Sequence, residues 1–223
     1  MTRHSAFDPA DIAAFPAVLP VFPLTGALLL PRAELPLNIF EPRYLALVND
    51  CLQAGRMFGM VQPATSRSCE ARPAIYKTGC LGRISAFQET ADGRFYISLR
   101  GLCRFDVAEE LEVATPYRQV RPSYADYTAD LAPCGEDGVK RDALLPMLRN
   151  YFDRHQMEVD WGCIEKAPTE RLINYLAMIC PFDPCEKQVL LEAPTIAERS
   201  RLLMSFLQIS GRDRSDSSNS RVQ

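Results

Sequence analysis

With 223 residues, 47% of them hydrophobic, the chain can bury one large core or two small ones. Its net charge of −3 is unevenly spread: residues 1–125 carry 13 basic against 12 acidic side chains, residues 126–223 carry 12 against 16. Neither half has the clustered positive excess of a generic nucleic-acid binder, and no apolar run approaches the roughly 20 residues needed to cross a bilayer.

Residues 1–17 read as a flexible lead-in. From residue 18 the chain runs as short, Pro-interrupted extended segments, "VLPVFPL", "ALLL" and "LPLNIF". Proline lacks a donor N–H, so such segments suit sheet edges and corners better than central strands. Residues 42–54 break the pattern. Pro42 fits the first helical position, Tyr44, Leu45, Leu47, Val48, Cys51 and Leu52 recur at helical spacing, and Gly55 stops the run. "RMFGMVQP" predicts a buried strand and residues 64–74 a polar loop. "IYKTGCLGRISAFQET" and "RFYISLRG", joined through Ala91-Asp92-Gly93, predict a hairpin. "CRFDVAEEL" alternates inward and outward side chains, and "YRQVRPSY" continues the β pattern. Gly79, Gly82 and Gly101 lie inside strand patterns, where bulges or close backbone approach are expected. Several bent strands with one inserted helix predict a small closed barrel over residues 18–125.

Residues 126–139, "DYTADLAPCGEDGV" and its polar surroundings, read as a linker. From 140 to 209 the periodicity is helical. Asp183-Pro184-Cys185-Glu186 and Thr195 with Glu198 are capping boxes, and Pro146 should kink or end the first helix. Residues 210–223 are polar and predict a disordered tail.

The sequence contains no G-x-x-x-x-G-K-[ST], G-x-G-x-x-G, G-x-S-x-G or H-E-x-x-H. Its two histidines are His4, in the lead-in, and His155, at a helix end. The eight cysteines, at 51, 69, 80, 103, 134, 163, 180 and 185, include no C-x-x-C. No metal, cofactor or catalytic residue is therefore assigned. The N-terminus lacks the charged and apolar regions of a secretory signal, which predicts a cytoplasmic protein with reduced thiols. Glu109, Glu110 and Glu112 read as a solvated, pairing-averse edge. Arg83, Arg94, Arg100, Arg104, Arg118 and Arg121 read as strand residues facing water or as a basic stripe.

"LPVFPLTGALLLPRAELPLNIFEPRYLALVNDCLQAGRMFGMV" resembles the opening of the N-terminal substrate-binding domain of Lon proteases. Phe58-Gly59, Gly79, "LGRI", "DGRFYISLRG", Arg104-Phe105 and the helical "INYLAMICPFDPCEKQVLLEAPTIAERSRLLMSFL" agree with it, over residues 18 to 209. The resemblance implies an α+β fold: a PUA-like β-barrel with an inserted helix, followed by a C-terminal helical bundle. In full-length Lon this domain precedes an ATPase module and a Ser-Lys peptidase, and the P-loop lysine and catalytic serine have no matching positions here. The expectation is a stand-alone, non-enzymatic module that binds unfolded or degron segments or a protein partner. The alternative is an RNA-binding PUA-like protein, against which the near-neutral first half and sparse basic–aromatic interleaving weigh. A cysteine-based enzyme is a third class, for which nothing singles out one thiol. Neither a membrane nor nucleic acid is an expected partner.

The candidate binding surface comprises Glu41, Arg43 and Tyr44, from the corner motif, with Arg83, Arg100 and Arg104 as a polar rim. The corner residues also have a purely architectural reading: Glu41 at a helix start, Arg43 paired locally and Tyr44 packed on the barrel.

Overall fold

The computed structural model describes residues 12–64, 72–132, 135, 138–154 and 156–210. Both histidines and residues 211–223 of the predicted C-terminal tail lie outside these residues. The chain divides into two units, Met1–Pro133 and Cys134–Gln223.

The first unit is a mixed α+β assembly on a six-stranded sheet. Its strands are β1 (Leu19–Pro23), β2 (Glu34–Ile39), β3 (Met57–Val61), β4 (Thr78–Glu89), β5 (Phe95–Leu111) and β6 (Arg118–Ser123), with helix α1 (Pro42–Gln53) between β2 and β3. The order is β2-β5-β4-β3-β1-β6, and β6 also pairs with β5, so the pairing returns on itself through five strands. The third strand's parallel partner is β1; every other pairing is antiparallel.

Two of the extended segments behave differently from the sequence expectation. Despite Pro20 and Pro23, β1 sits between β3 and β6. It is tolerated there because the two pairings are staggered: Leu19–Val21 face β6, Val21–Pro23 face β3, and each proline meets a ladder on one side only. "ALLL" forms no strand. It is a buried irregular run, Leu28–Leu30, between Gly26 and Arg32, both at positive φ. The hairpin is as predicted, but its second strand runs unbroken for 17 residues and absorbs "CRFDVAEEL". Inward and outward residues alternate from Phe95 to Arg100; from Gly101 to Phe105 every residue is buried.

The fully buried Phe105 explains two of the strand glycines. A Cβ on either Gly59 or Gly79 would fall 2.7 Å from its ring. Phe105 joins a core with Leu19, Val21, Leu81, Cys103 and Val120. Part of the lead-in joins it as well: Ile12–Ala14 form a 3-10 turn, and Phe15 is buried 5.1 Å from the ring of Tyr124. The start of the predicted linker, residues 126–131, carries regular structure. Residues 125–131 form a 3-10 segment against β5, and Asp130 is buried in an ion pair with Arg104.

In the second unit, α2 (Arg141–Arg154), α3 (Trp161–Lys166), α4 (Thr169–Ile179), α5 (Pro184–Glu192) and α6 (Ile196–Ser210) follow one another. Helix α6 packs on α2, α4 and α5. Pro146 lies inside α2 without ending it, while Leu144 and Leu148 on either side are fully buried. The Asp183–Glu186 capping box is present, and Thr195 accepts the Glu198 N–H at 3.1 Å. The buried Arg199 guanidinium donates to the Leu190 and Ala193 carbonyls at the end of α5 and to Asn174. Among the described residues no helix is long and apolar enough to cross a membrane.

Candidate functional site

The corner motif builds one wall of a cleft. Pro42 opens α1 with Glu41 as its N-cap, and Glu41 makes no capping hydrogen bond with its side chain. It pairs instead with Arg43 at 2.8 Å, an exposed contact that contributes about 0–1 kcal/mol. The Arg43 guanidinium lies 4.5 Å above the Tyr44 ring, and Phe22 covers that ring from 3.9 Å. Tyr44 is buried and donates its hydroxyl to the Pro23 carbonyl at 3.3 Å. Burial pushes that phenol up, and Glu41 adds to the shift while Arg43 opposes it.

Around this corner is a cleft of about 600 Å³, closed by Pro23–Thr25, Pro63, Arg72, Pro73 and the segment through Thr115 to Arg118. Arg118 fixes the far wall: its guanidinium grips both oxygens of Glu110, at 2.8 and 2.5 Å, and the Pro73 carbonyl at 2.6 Å. Arg72 shares the Glu110 carboxylate at 3.0 Å. Hydrogen bonding from Arg118 holds Glu110 below the usual carboxylate range. A group with a lowered folded pKa stabilises above its unfolded value of about 4.3 and loses that contribution as pH falls. The gap in urea midpoint between the parent and Glu110→Gln should therefore be widest near pH 7 and close as the pH drops below 4. Tyr117, in the cleft wall, donates to Asp50 at 2.5 Å; burial and this bond both push its hydroxyl up.

Arg83 and Arg100 are brought together elsewhere. They face each other across β4 and β5, and Glu34 of β2 stands opposite Arg100 in the same row. That row continues along the outer face through Pro36–Ser98–Ala86 to Asn38–Tyr96–Gln88. A shallow groove of about 470 Å³ lies there, with Tyr96 half-exposed in it. Phe87 and Phe40 are further exposed aromatics at this end of the sheet.

Arg104 does not belong to a rim. It is 5% exposed, and its side chain meets Asp130 at 2.7 and 2.8 Å while lying over the Tyr127 ring. Tyr127 in turn donates to Asp106, which Thr78 and Lys77 also contact. Burial alone would raise the Asp106 carboxyl, but these donors outweigh it and hold it low. Arg104 is a core cation that anchors the 3-10 segment.

The comparisons with known proteins bear on the whole of this arrangement. The family model for the ATP-dependent protease La (LON) substrate-binding domain matches residues 18–208. The chain belongs to the LON substrate-binding domain family. The LON domain described here is similar over 204 residues to the Lon proteases of Dictyoglomus thermophilum, at 26% identity, and Roseiflexus castenholzii, at 27%. These alignments cover 86% and 90% of the chain but 24% and 25% of those proteases, so it spans about a quarter of their length. Among solved structures, a Lon N-terminal domain protein from Xanthomonas campestris aligns with a TM-score of 0.58 and 26% identity, covering 84% of this chain and 97% of that one. The N-terminal domain of the Mycobacterium avium complex Lon protease shares the fold at a TM-score of 0.57 and 16% identity, over 86% and 98% of the two chains.

In this LON domain the corner residues are thus both architectural and cleft-lining. Arg72, Tyr117 and Arg118 complete the cleft, with Glu110 behind them, without having been singled out as site residues. Arg72 lies in a loop with no periodicity, and the Arg118–Glu110 pair depends on the β5–β6 register. The acidic edge proves to be partly paired: Glu109 meets Arg121 at 3.1 Å and Glu110 meets Arg118.

Proposed function

We propose that this LON domain is a non-catalytic module that takes up extended protein segments, unfolded or degron-like, along the edge of β2 and the outer face beside it. Five of the strands form a PUA-like barrel in this reading and α2–α6 a helical bundle, in a protein working in the cytoplasm; the domain itself supplies binding rather than ATPase or peptidase chemistry. The family's description as substrate-binding supports the reading.

One observation carries it. The second strand ends the sheet, paired only with β5 among the described residues. Pro36 opposite Ser98 has no N–H to donate, so this position is a non-hydrogen-bonded pair of the antiparallel ladder. Glu34 and Asn38 share its parity and direct their N–H and C=O groups away from β5. An incoming extended segment can pair with them, while Tyr96 and its groove take a side chain. Affinity should be on the order of micromolar, because a disordered segment loses entropy on ordering.

Fluorescence anisotropy with labelled, unfolded casein tests this. Asn38→Pro removes an edge donor that the fold does not use, with Leu37 already extended. Binding should weaken about tenfold, from one or two lost hydrogen bonds, with the thermal midpoint little changed. Tyr96→Ala should weaken it as well. Full casein binding by both variants would sink the reading.

A further inference from the structure

We propose that the corner cleft is a second recognition site, which takes carboxylate side chains of an acidic protein segment between Arg43 and Arg72. The inference rests on reading the domain as a segment-binding module, and it names a chemistry for a surface distinct from the β2 edge.

Three cations, Arg43, Arg72 and Arg118, line or close the cleft, against two carboxylates, Glu41 in the lining and Glu110 behind it. The balance is one positive charge. The three arginines are not equivalent. Arg118 is 12% exposed and fully engaged with Glu110 and the Pro73 carbonyl, so it holds the wall. Arg43 and Arg72 are about half exposed. A guanidinium carries five N–H donors. Arg43 spends two of its groups, Nε and Nη2, on a single oxygen of Glu41. Arg72 contacts one oxygen of Glu110 through Nη2. Among the described residues, their other donors have no acceptor.

This geometry is already one of guanidinium–carboxylate pairing, with an internal carboxylate on each arginine. An incoming carboxylate can replace Glu41 on Arg43 or take the open donors of Arg72, exchanging like for like. The prolines at 23, 63, 73 and 116 give the cleft stiff walls on which the apolar parts of an extended segment can lie. A nucleic-acid strand fits less well. It needs a track of cations, and here the lining and the carboxylates paired with it leave a single excess charge.

The test uses the full chain and three fluorescent probes: an octapeptide alternating Glu with Ser, its Gln counterpart, and a single-stranded RNA octamer. The Glu peptide should bind about fivefold or more tightly than the Gln peptide and should weaken as salt is raised. The double variant Arg43→Gln with Arg72→Gln should lose about tenfold in Glu-peptide affinity, whereas Asn38→Pro should change it little. Glu41→Gln provides a readout that a structural role would not move. Removing the internal competitor should tighten Glu-peptide binding about two- to threefold. Equal binding of the Glu and Gln peptides, or unchanged or weaker binding by Glu41→Gln, overturns the proposal. RNA binding that the double arginine variant abolishes also overturns it, in favour of a phosphate site. Casein capture that still depends on Asn38 would then leave the β2 reading standing, so the two failures are separable.

Discussion

Asp130→Ala should cost the first unit about 3–5 kcal/mol, a large share of the roughly 5–15 kcal/mol typical of a folded domain. Both partners of the pair are under a tenth exposed. Asp130 accepts three hydrogen bonds from Arg104: the backbone N–H at 2.9 Å, Nε at 2.8 Å and Nη2 at 2.7 Å. Truncation leaves a buried guanidinium without its carboxylate and a backbone donor without that acceptor, which is the costly way to break such a pair. Arg32 donates to the Asp130 and Ala132 backbone carbonyls from the neighbouring turn, contacts that the substitution leaves in place, so the loss reports the carboxylate. Urea denaturation of the single variant measures the effect. The double variant Asp130→Leu with Arg104→Met should be less destabilised than Asp130→Ala, because it removes the charge along with its partner. A loss below about 1 kcal/mol in the single variant would show the pair to be solvated in solution.

Gly101→Ala should be of similar size, at least about 3 kcal/mol, and should also reduce casein binding. A Cβ at this position would stand 2.1 Å from the Leu30 carbonyl oxygen and 2.8 Å from its carbon. Those are backbone atoms, so no side-chain rotation relieves the clash, and the expected loss is at or above the usual range for overpacking. Gly101 and the turn are locked to each other: its N–H donates to the Ala33 carbonyl and its carbonyl accepts from Arg32, both at 2.9 Å. The second strand starts one residue beyond Ala33, at Glu34. Pushing the turn away shifts the edge that the segment-binding reading uses. Thermal denaturation together with casein anisotropy checks both halves. An alanine variant with the parent's midpoint would mean that the turn does not rest on this strand.

Local signals in the sequence were strongest where one short stretch decides its own conformation. Pro42, the apolar period after it and Gly55 define α1, which runs from Pro42 to Gln53 with Gly55 at a φ of 82°. Asp92-Gly93 and the capping box at Asp183 acted in the same way. The corner residues were legible as a group for the same reason, being adjacent in the chain. Arg83 and Arg100, 17 positions apart, meet only because the hairpin register sets them opposite each other. Arg104 looked like its neighbours Arg94 and Arg100 on a β segment. What distinguishes it is a carboxylate 26 residues later in a stretch that reads as linker.

Composition, turn chemistry and periodicity by themselves determined the β-rich first unit, the helical second unit and the absence of the common phosphate-binding and hydrolase motifs from these residues. They did so because each depends on interactions between residues a few positions apart. Which strands pair, which proline a staggered ladder can tolerate and which arginine is buried were decided only by tertiary structure. Those outcomes depend on contacts between residues tens of positions apart, where burial makes a carboxylate partner obligatory for a charge such as Arg104 and leaves Arg43 and Arg72 half exposed in surface ion pairs.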